Sequence, residues 1–293
     1  MPRRFRHSLF ALLAMLFAAP APAQDDAGPA GARPEFRQDS LNVFRRFPAE
    51  DRQKMVDFYE KVLALEPLQP IQLNATTQII LFHVGRTGQI KLAAGLQEGR
   101  RYHPGGIAEA TGIRLYTLRY PDEATLAARF TANGHAAPRF TDIGEGRKAA
   151  LVRDPAGFTL QLIVEPGVSP QTNGVEVGIN VSDLDRSRAF YRDFAGLEEL
   201  PPVEDAFLGV TRYPFRHGET IINLWSAGHD LPADTGSAGI QYVTGNVREI
   251  DAAAKARNIT VETPLAGVPG FNIMTVWLND PDGVTNYFYQ MLD

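Results

Sequence analysis

Glu176 stands in a run where Val175, Val177, Ile179 and Val181 alternate with Glu176, Gly178 and Asn180. A period of two is the signature of a strand with one apolar face, and it sends the carboxylate to the side opposite the packing face. A carboxylate turned inward needs a partner, and Arg119, Arg45 and Lys91 are the cations that neighbouring strands could bring. Such a group could act as a general base on a bound carbonyl compound, which requires only a raised pKa and a labile proton within reach.

Other strand-like runs aim polar and aromatic side chains to the same side. Thr159 and Gln161 come from one, Thr117 and Arg119 from a second, Asn223 and Trp225 from hairpins, and Thr285, Tyr287 and Tyr289 from the last. Aromatic walls with a few polar groups suit a small-molecule pocket. The candidate ligand-binding residues are therefore Gln161, Asn180, Tyr287, Tyr289, Trp225, Asn223 and Arg119, with Glu176 the catalytic candidate. The alternative is that the tyrosines only fill a sheet interface. Of the six histidines, His7 lies in the N-terminal basic segment, and His103, His135 and His229 adjoin Gly or Pro. His83 and His217 occupy corresponding hairpins and are expected to be exposed or hydrogen-bonded turn residues.

An internal repeat positions these residues. Phe58-Tyr59 recurs as Phe190-Tyr191, and Asp154-Pro155-Ala156-Gly157 is answered by Asp280-Pro281-Asp282-Gly283. Landmarks in the same order at nearly the same offset indicate a duplication, with halves at residues 40–167 and 174–293 and a Pro- and Gly-rich linker between them. In the second half the strand at 175–181 runs into Ser182-Asp183, either of which could cap a helix carrying Leu184, Phe190, Tyr191 and Phe194 at helical spacing. A hairpin turning at Arg216-His217-Gly218, a strand at 239–244, a helix at 246–257 and a closing strand at 284–290 follow. The first half repeats this order. The expected fold is α+β, built from two tandem βαβββ modules.

Composition is that of an ordinary globular protein, with 293 residues, 44% hydrophobic, 22% charged, and no Cys. A net charge of −5 and the lack of a basic cluster argue against nucleic acid. Arg3, Arg4 and Arg6, the apolar run from Leu9 to Ala19 and Ala21-Pro22-Ala23 form a secretory signal pattern over residues 1–23. The run is too short to span a membrane. Export to the periplasm or medium after cleavage near Ala23 is expected, with no membrane anchor, and residues 24–39 read as a flexible leader.

Val177-Gly178-Ile179-Asn180-Val181-Ser182-Asp183-Leu184-Asp185-Arg186-Ser187, followed by Phe190-Tyr191 and Gly196-Leu197, resembles the opening strand and helix of the vicinal oxygen chelate superfamily. Glyoxalases, bleomycin- and fosfomycin-resistance proteins and extradiol dioxygenases belong to it. The Asp-Pro-x-Gly turn in both halves is similar to its closing motif. The resemblance covers residues 40–293 and implies facing cupped sheets around a ligand site. Catalytic members hold a divalent metal with a His or Gln on a first strand, a His before the second helix and a Glu on the closing strand. Carried over crosswise, those positions fall on Glu176, Leu115 and Gln161, and on Asn42 or Phe44, Gly239 and Tyr287. None is His, so no metal or other cofactor is expected, with Glu176 and Gln161 as the fallback pair for a divalent ion. The signal pattern and the resemblance together imply an exported protein that binds a small molecule between its modules. The alternative is a glyoxalase-, dioxygenase- or isomerase-type enzyme in which Glu176 is the base or, with Gln161, a metal ligand.

Overall fold

The computed structural model describes residues 31–228 and 230–292. The signal segment 1–23, with His7, the start of the leader, and His229 lie outside the described residues. The tandem arrangement is present, and each half carries the strand–helix–strands unit twice. The first unit is β1 (Asn42–Phe47), α1 (Arg52–Asp57), β2 (Glu66–Gln72), β3 (Gln78–Val84) and β4 (Gly88–Ala94). The second is β5 (Gly112–Tyr120), α2 (Glu123–Ala132), β6 (Thr141–Gly144), β7 (Arg147–Arg153) and β8 (Thr159–Val164). The third is β9 (Glu176–Asn180), α3 (Leu184–Ala189), the short β10 (Glu198–Glu199) and β11 (Val203–Asp205), β12 (Val210–His217) and β13 (Thr220–Trp225). The fourth is β14 (Ala238–Val243), α4 (Val247–Ala256), β15 (Val261–Gly267), β16 (Ile273–Asn279) and β17 (Thr285–Met291).

Two curled mixed sheets result, and each takes one unit from each half. Sheet A runs β15-β16-β17-β14-β1-β4-β3-β2, and sheet B runs β10-β12-β13-β9-β5-β8-β7-β6, with β11 also on β12. The halves meet where β14 pairs antiparallel with β1 and β9 with β5. The exposed outer strands β2 and β15 give little sequence signal because each contains proline, Pro67 and Pro70 in one and Pro264 in the other, which a sheet tolerates at its edge. One continuous apolar cluster takes Val43 and Phe47 of sheet A together with Val177, Ile179 and Leu224 of sheet B. The alternation on β1 and β9 therefore leaves Asn42, Phe44 and Arg46, and Glu176, Gly178 and Asn180, on the faces turned away from that core.

The helices follow the repeat in their π-helical turns but not in their caps, since α1 and α4 have no side-chain cap. Asp183 caps α3 by accepting from the Arg186 N–H at 3.0 Å, and Asp122 caps α2 through the Thr125 N–H at 2.6 Å. Both α1 and α3 pass into a single π-helical turn, Phe58–Val62 and Phe190–Phe194, which seats Phe58 and Phe190 as buried residues in equivalent places. Both turns end on a left-handed residue, Ala64 in the first half and Gly196 in the second. The described part of the leader is not free. Phe36 bridges to Thr244, the Arg37 N–H donates to the Val243 carbonyl at 2.9 Å and the Gly245 N–H to that of Glu35 at 2.8 Å. Phe36 also packs edge-on against His217 at 4.3 Å, so its ring is part of the apolar packing rather than a tether. Among the described residues no helix is long and apolar enough to cross a membrane.

Candidate functional site

Register decides which of the candidate residues meet. On sheet B, Glu176 of β9 lies beside Thr117 of β5, and Thr117 lies beside Gln161 of β8. The position expected for Leu115 is thus held by Thr117, whose hydroxyl donates to Gln161 Oε1 at 2.9 Å. Leu115 sits one step along, beside Gly178. Glu176 accepts from Arg119 Nη2 at 2.5 Å, and Asn223 Nδ2 stands 3.4 Å from its other oxygen. Arg119 also donates to Glu165 at 2.9 Å. Of the three cations open as partners, Arg119 is the one that meets Glu176, whereas Arg45 is fully buried against Asp154.

Two other candidates on sheet B hold the fold. Asn180 donates to the Ala110 carbonyl at 2.9 Å and accepts from the Ala227 N–H at 2.8 Å, which uses both ends of its amide. Trp225 is 1% exposed, donates to the Ile107 carbonyl at 3.2 Å and lays its ring over Gly178, where a Cβ would meet it at 2.6 Å.

Tyr287 and Tyr289 lie on sheet A, away from Glu176 and Gln161. They stack at 6.0 Å, and Trp277 meets Tyr287 edge-on at 5.1 Å. Burial pushes both phenols up to about 12, with Thr275, Gln241 and Trp277 acting the other way on Tyr287. The row through Tyr287 continues to Gln241 of β14 and Asn42 of β1, so Gly239 is again displaced by the residue two positions on. Gly239 is instead covered by the ring of Phe44. Gln241 is 6% exposed and its Oε1 has no hydrogen-bond partner.

The two sheets can be compared place by place. Glu176, Thr117 and Gln161 with Asn223 on sheet B correspond to Asn42, Gln241 and Tyr287 with Lys91 on sheet A, because Ile90 pairs with Val43 as Ile222 pairs with Val177. Lys91 forms no ion pair or hydrogen bond among the described residues, and burial lowers its ammonium to about 8. Arg46 follows Phe44 on the same face and donates to the Gly95 carbonyl at 3.0 Å. Arg100 binds Thr285 at 2.8 Å and pairs with Glu262. Burial lowers Arg100, Tyr102 opposes that, and Arg46 adds repulsion. The strand pattern Gly88-Gln89-Ile90-Lys91-Leu92 was the signal available in the sequence, a lone cation on the polar side of an apolar strand.

Residues 175–288 match the profile of the Glyoxalase/Bleomycin resistance protein/Dioxygenase superfamily. Residues 175–288 are thus a domain of this superfamily. The whole chain shares its two-module fold. The crystal structure of glyoxalase I from Zea mays is 18% identical, with a TM-score of 0.66 over 86% of this chain and 92% of that one. A dioxygenase candidate from Bacillus subtilis subsp. subtilis str. 168 is 14% identical, with a TM-score of 0.61 over 88% and 86%. No curated protein sequence matches the chain.

The superfamily's divalent metal does not fit the residues found here. A hard or borderline cation needs several carboxylate or imidazole donors. The Glu176 row of sheet B offers one carboxylate, already neutralised by Arg119, and sheet A places an ammonium one row along from the corresponding set. Among the described residues no three His, Asp or Glu side chains converge to hold an ion. The histidines do not change this. His83 faces Glu66 at 3.5 Å at the rim, and His217, expected as a turn residue, is buried, which lowers its pKa to about 4. Two clefts lie off these rows. One of about 590 Å³ runs along Leu208, Val210 and Tyr213, and one of about 480 Å³ at the end of β1 is walled by Arg46, Tyr102 and Pro155.

Proposed function

We propose that this superfamily member is an exported protein that binds a small molecule on the open faces of its sheets without a metal held at the family positions. The observation that carries this is the corresponding set of residues in the two sheets. It contains a single carboxylate, Glu176, held by Arg119, and in the other sheet its place is taken by Asn42 with Lys91 near by. The pairing also counts against the enzyme alternative, because a carboxylate oxygen already held by a guanidinium is not free to reach a substrate proton. The signal pattern at residues 1–23 supports export.

Metal analysis of the purified mature protein, followed by titration with Zn, Mn and Fe, tests the binding reading. Well under one equivalent of metal and no saturable uptake are expected. Stoichiometric metal that departs in Glu176→Gln would overturn it in favour of the enzyme. Mass spectrometry should place the mature N-terminus at or near Gln24, and an intact Met1 on exported protein would sink the export claim.

A further inference from the structure

Sheet A carries positive charge that no described residue neutralises. Lys91 lies between Leu81 of β3 and Phe44 of β1 and has no counterion among the described residues, while Arg46 follows on the same face. Of the acids on that face, Glu262 is already bound to Arg100 and to the Thr285 hydroxyl, and Glu66 on the edge strand faces His83. Leaving a partly buried ammonium unpaired costs stability, so the arrangement is informative. A second, independent observation is the orphaned Gln241 Oε1, nine-tenths buried on that face and lacking a donor. Between them lie the Phe44 ring and, beyond Gln241, the Tyr287 phenol.

Resting on the metal-free binding reading, we infer that the open face of sheet A takes a planar organic anion of the hydroxyaromatic carboxylate class, its carboxylate on Lys91 and its hydroxyl on Gln241. The spacing suits such a molecule. Lys91 and Gln241 are two strands and two residues apart, roughly 12 Å between backbones, and the long ammonium side chain shortens the gap toward the length of a ring substituted at opposite ends. The apolar body then meets Phe44 and Tyr287, whose faces and edges favour aromatic contact. The unmet donor and the unmet acceptor of the protein are satisfied by the two ends of one ligand.

Calorimetric titration of the full protein with 4-hydroxybenzoate, benzoate and 4-hydroxybenzamide tests this. The expected result is binding of 4-hydroxybenzoate that falls about tenfold or more in Lys91→Met and is kept within a few-fold in Lys91→Arg, as a charge-assisted contact requires. The amide should bind more weakly than the acid, and Gln241→Leu should weaken 4-hydroxybenzoate but not benzoate. Thermal melting of ligand-free Lys91→Met should show no loss of stability, which separates a lost ligand contact from a damaged fold. Equal binding of acid and amide, unchanged binding by Lys91→Met, or no binding of any of the three would overturn the inference and leave metal-free binding standing. Probe binding that disappears with a chelator would overturn the underlying reading instead.

Discussion

The hydroxyl of Tyr191 donates to the Oδ2 oxygen of Asp280 at 2.9 Å, joining the second half's π-helical turn to its Asp-Pro-x-Gly turn. Tyr59 and Asp154 repeat the bond in the first half at 3.2 Å. The two landmarks of the sequence repeat are therefore one contact, and each ties a helix lying on one sheet to the last hairpin of the other. The halves differ in what else reaches the carboxylate. Arg45 binds Asp154 at 3.1 Å, whereas the equivalent residue in the second half is Ile179.

That difference sets the cost of mutation. Removing either hydroxyl, by Tyr59→Phe or Tyr191→Phe, should destabilise by about 1 to 2 kcal/mol. Arg45→Met should cost about 3 to 5 kcal/mol, because it leaves Asp154 buried without its cation. Urea denaturation of the three variants checks the order, and an Arg45→Met no worse than the tyrosine variants would contradict it.

Opposed pH slopes should be visible. Burial, reinforced by Asp282, raises Asp280 from 3.8 to about 7, and burial lowers His217 from 6.5 to about 4. The folded state holds a proton on Asp280 more tightly than the unfolded chain, so this group's contribution is lost as pH rises from about 4 to 7. His217 resists protonation in the fold, so its contribution is lost as pH falls from about 6.5 to 4. In Asp280→Asn stability should rise more steeply with pH across that window, and in His217→Phe it should fall. Urea midpoints at several pH values decide, with parallel profiles for all three proteins as the contrary outcome.

Each sheet lays an aromatic ring over a glycine of a central strand. Trp225 covers Gly178, and Phe44 covers Gly239. Alanine at either place would drive a methyl into the ring, and a cost of about 1 to 3 kcal/mol is expected for Gly178→Ala and Gly239→Ala. Near-UV circular dichroism should show a changed Trp225 environment in the first variant only.

Ala64 holds the left-handed conformation at φ 52°, where its counterpart Gly196 has φ 72°. A non-glycine residue there costs roughly 1 to 2 kcal/mol, offset in part by the larger unfolded-state entropy of glycine. Ala64→Gly should therefore raise stability by up to about 1 kcal/mol and Gly196→Ala should lower it. Thermal unfolding of the pair would expose an error if both changes destabilised.

Breaking the Glu176 pair should leave a binding surface rather than an empty metal site. Glu176→Gln keeps the shape, and Arg119 retains Glu165 at 2.9 Å. A stability loss of about 1 kcal/mol or less, with unchanged metal content, is expected for this partly exposed pair. Elemental analysis beside a melting curve reads both.

Alternation at residues 175–181, a helix cap at Ser182-Asp183, and the two repeated motifs were legible in the sequence because each depends on neighbours a few residues apart. Edge strands β2 and β15 were not, since proline and exposure erase the period-two pattern there. The site depended on relations that no local pattern carries. Counting along the strands reached Glu176, Gln161 and Tyr287 but stopped at Leu115 and Gly239, two residues short of Thr117 and Gln241, because register across a sheet is set by ladders between distant segments. Tyr287 and Tyr289 went to one sheet and Glu176 and Gln161 to the other for the same reason: each sheet draws one unit from each half. The choice of Arg119 for Glu176, of Asp154 for Arg45, and of no counterion among the described residues for Lys91 likewise followed from which strands became neighbours, since a charge is satisfied by what lies within a few ångströms in space and not by what lies near it in the chain.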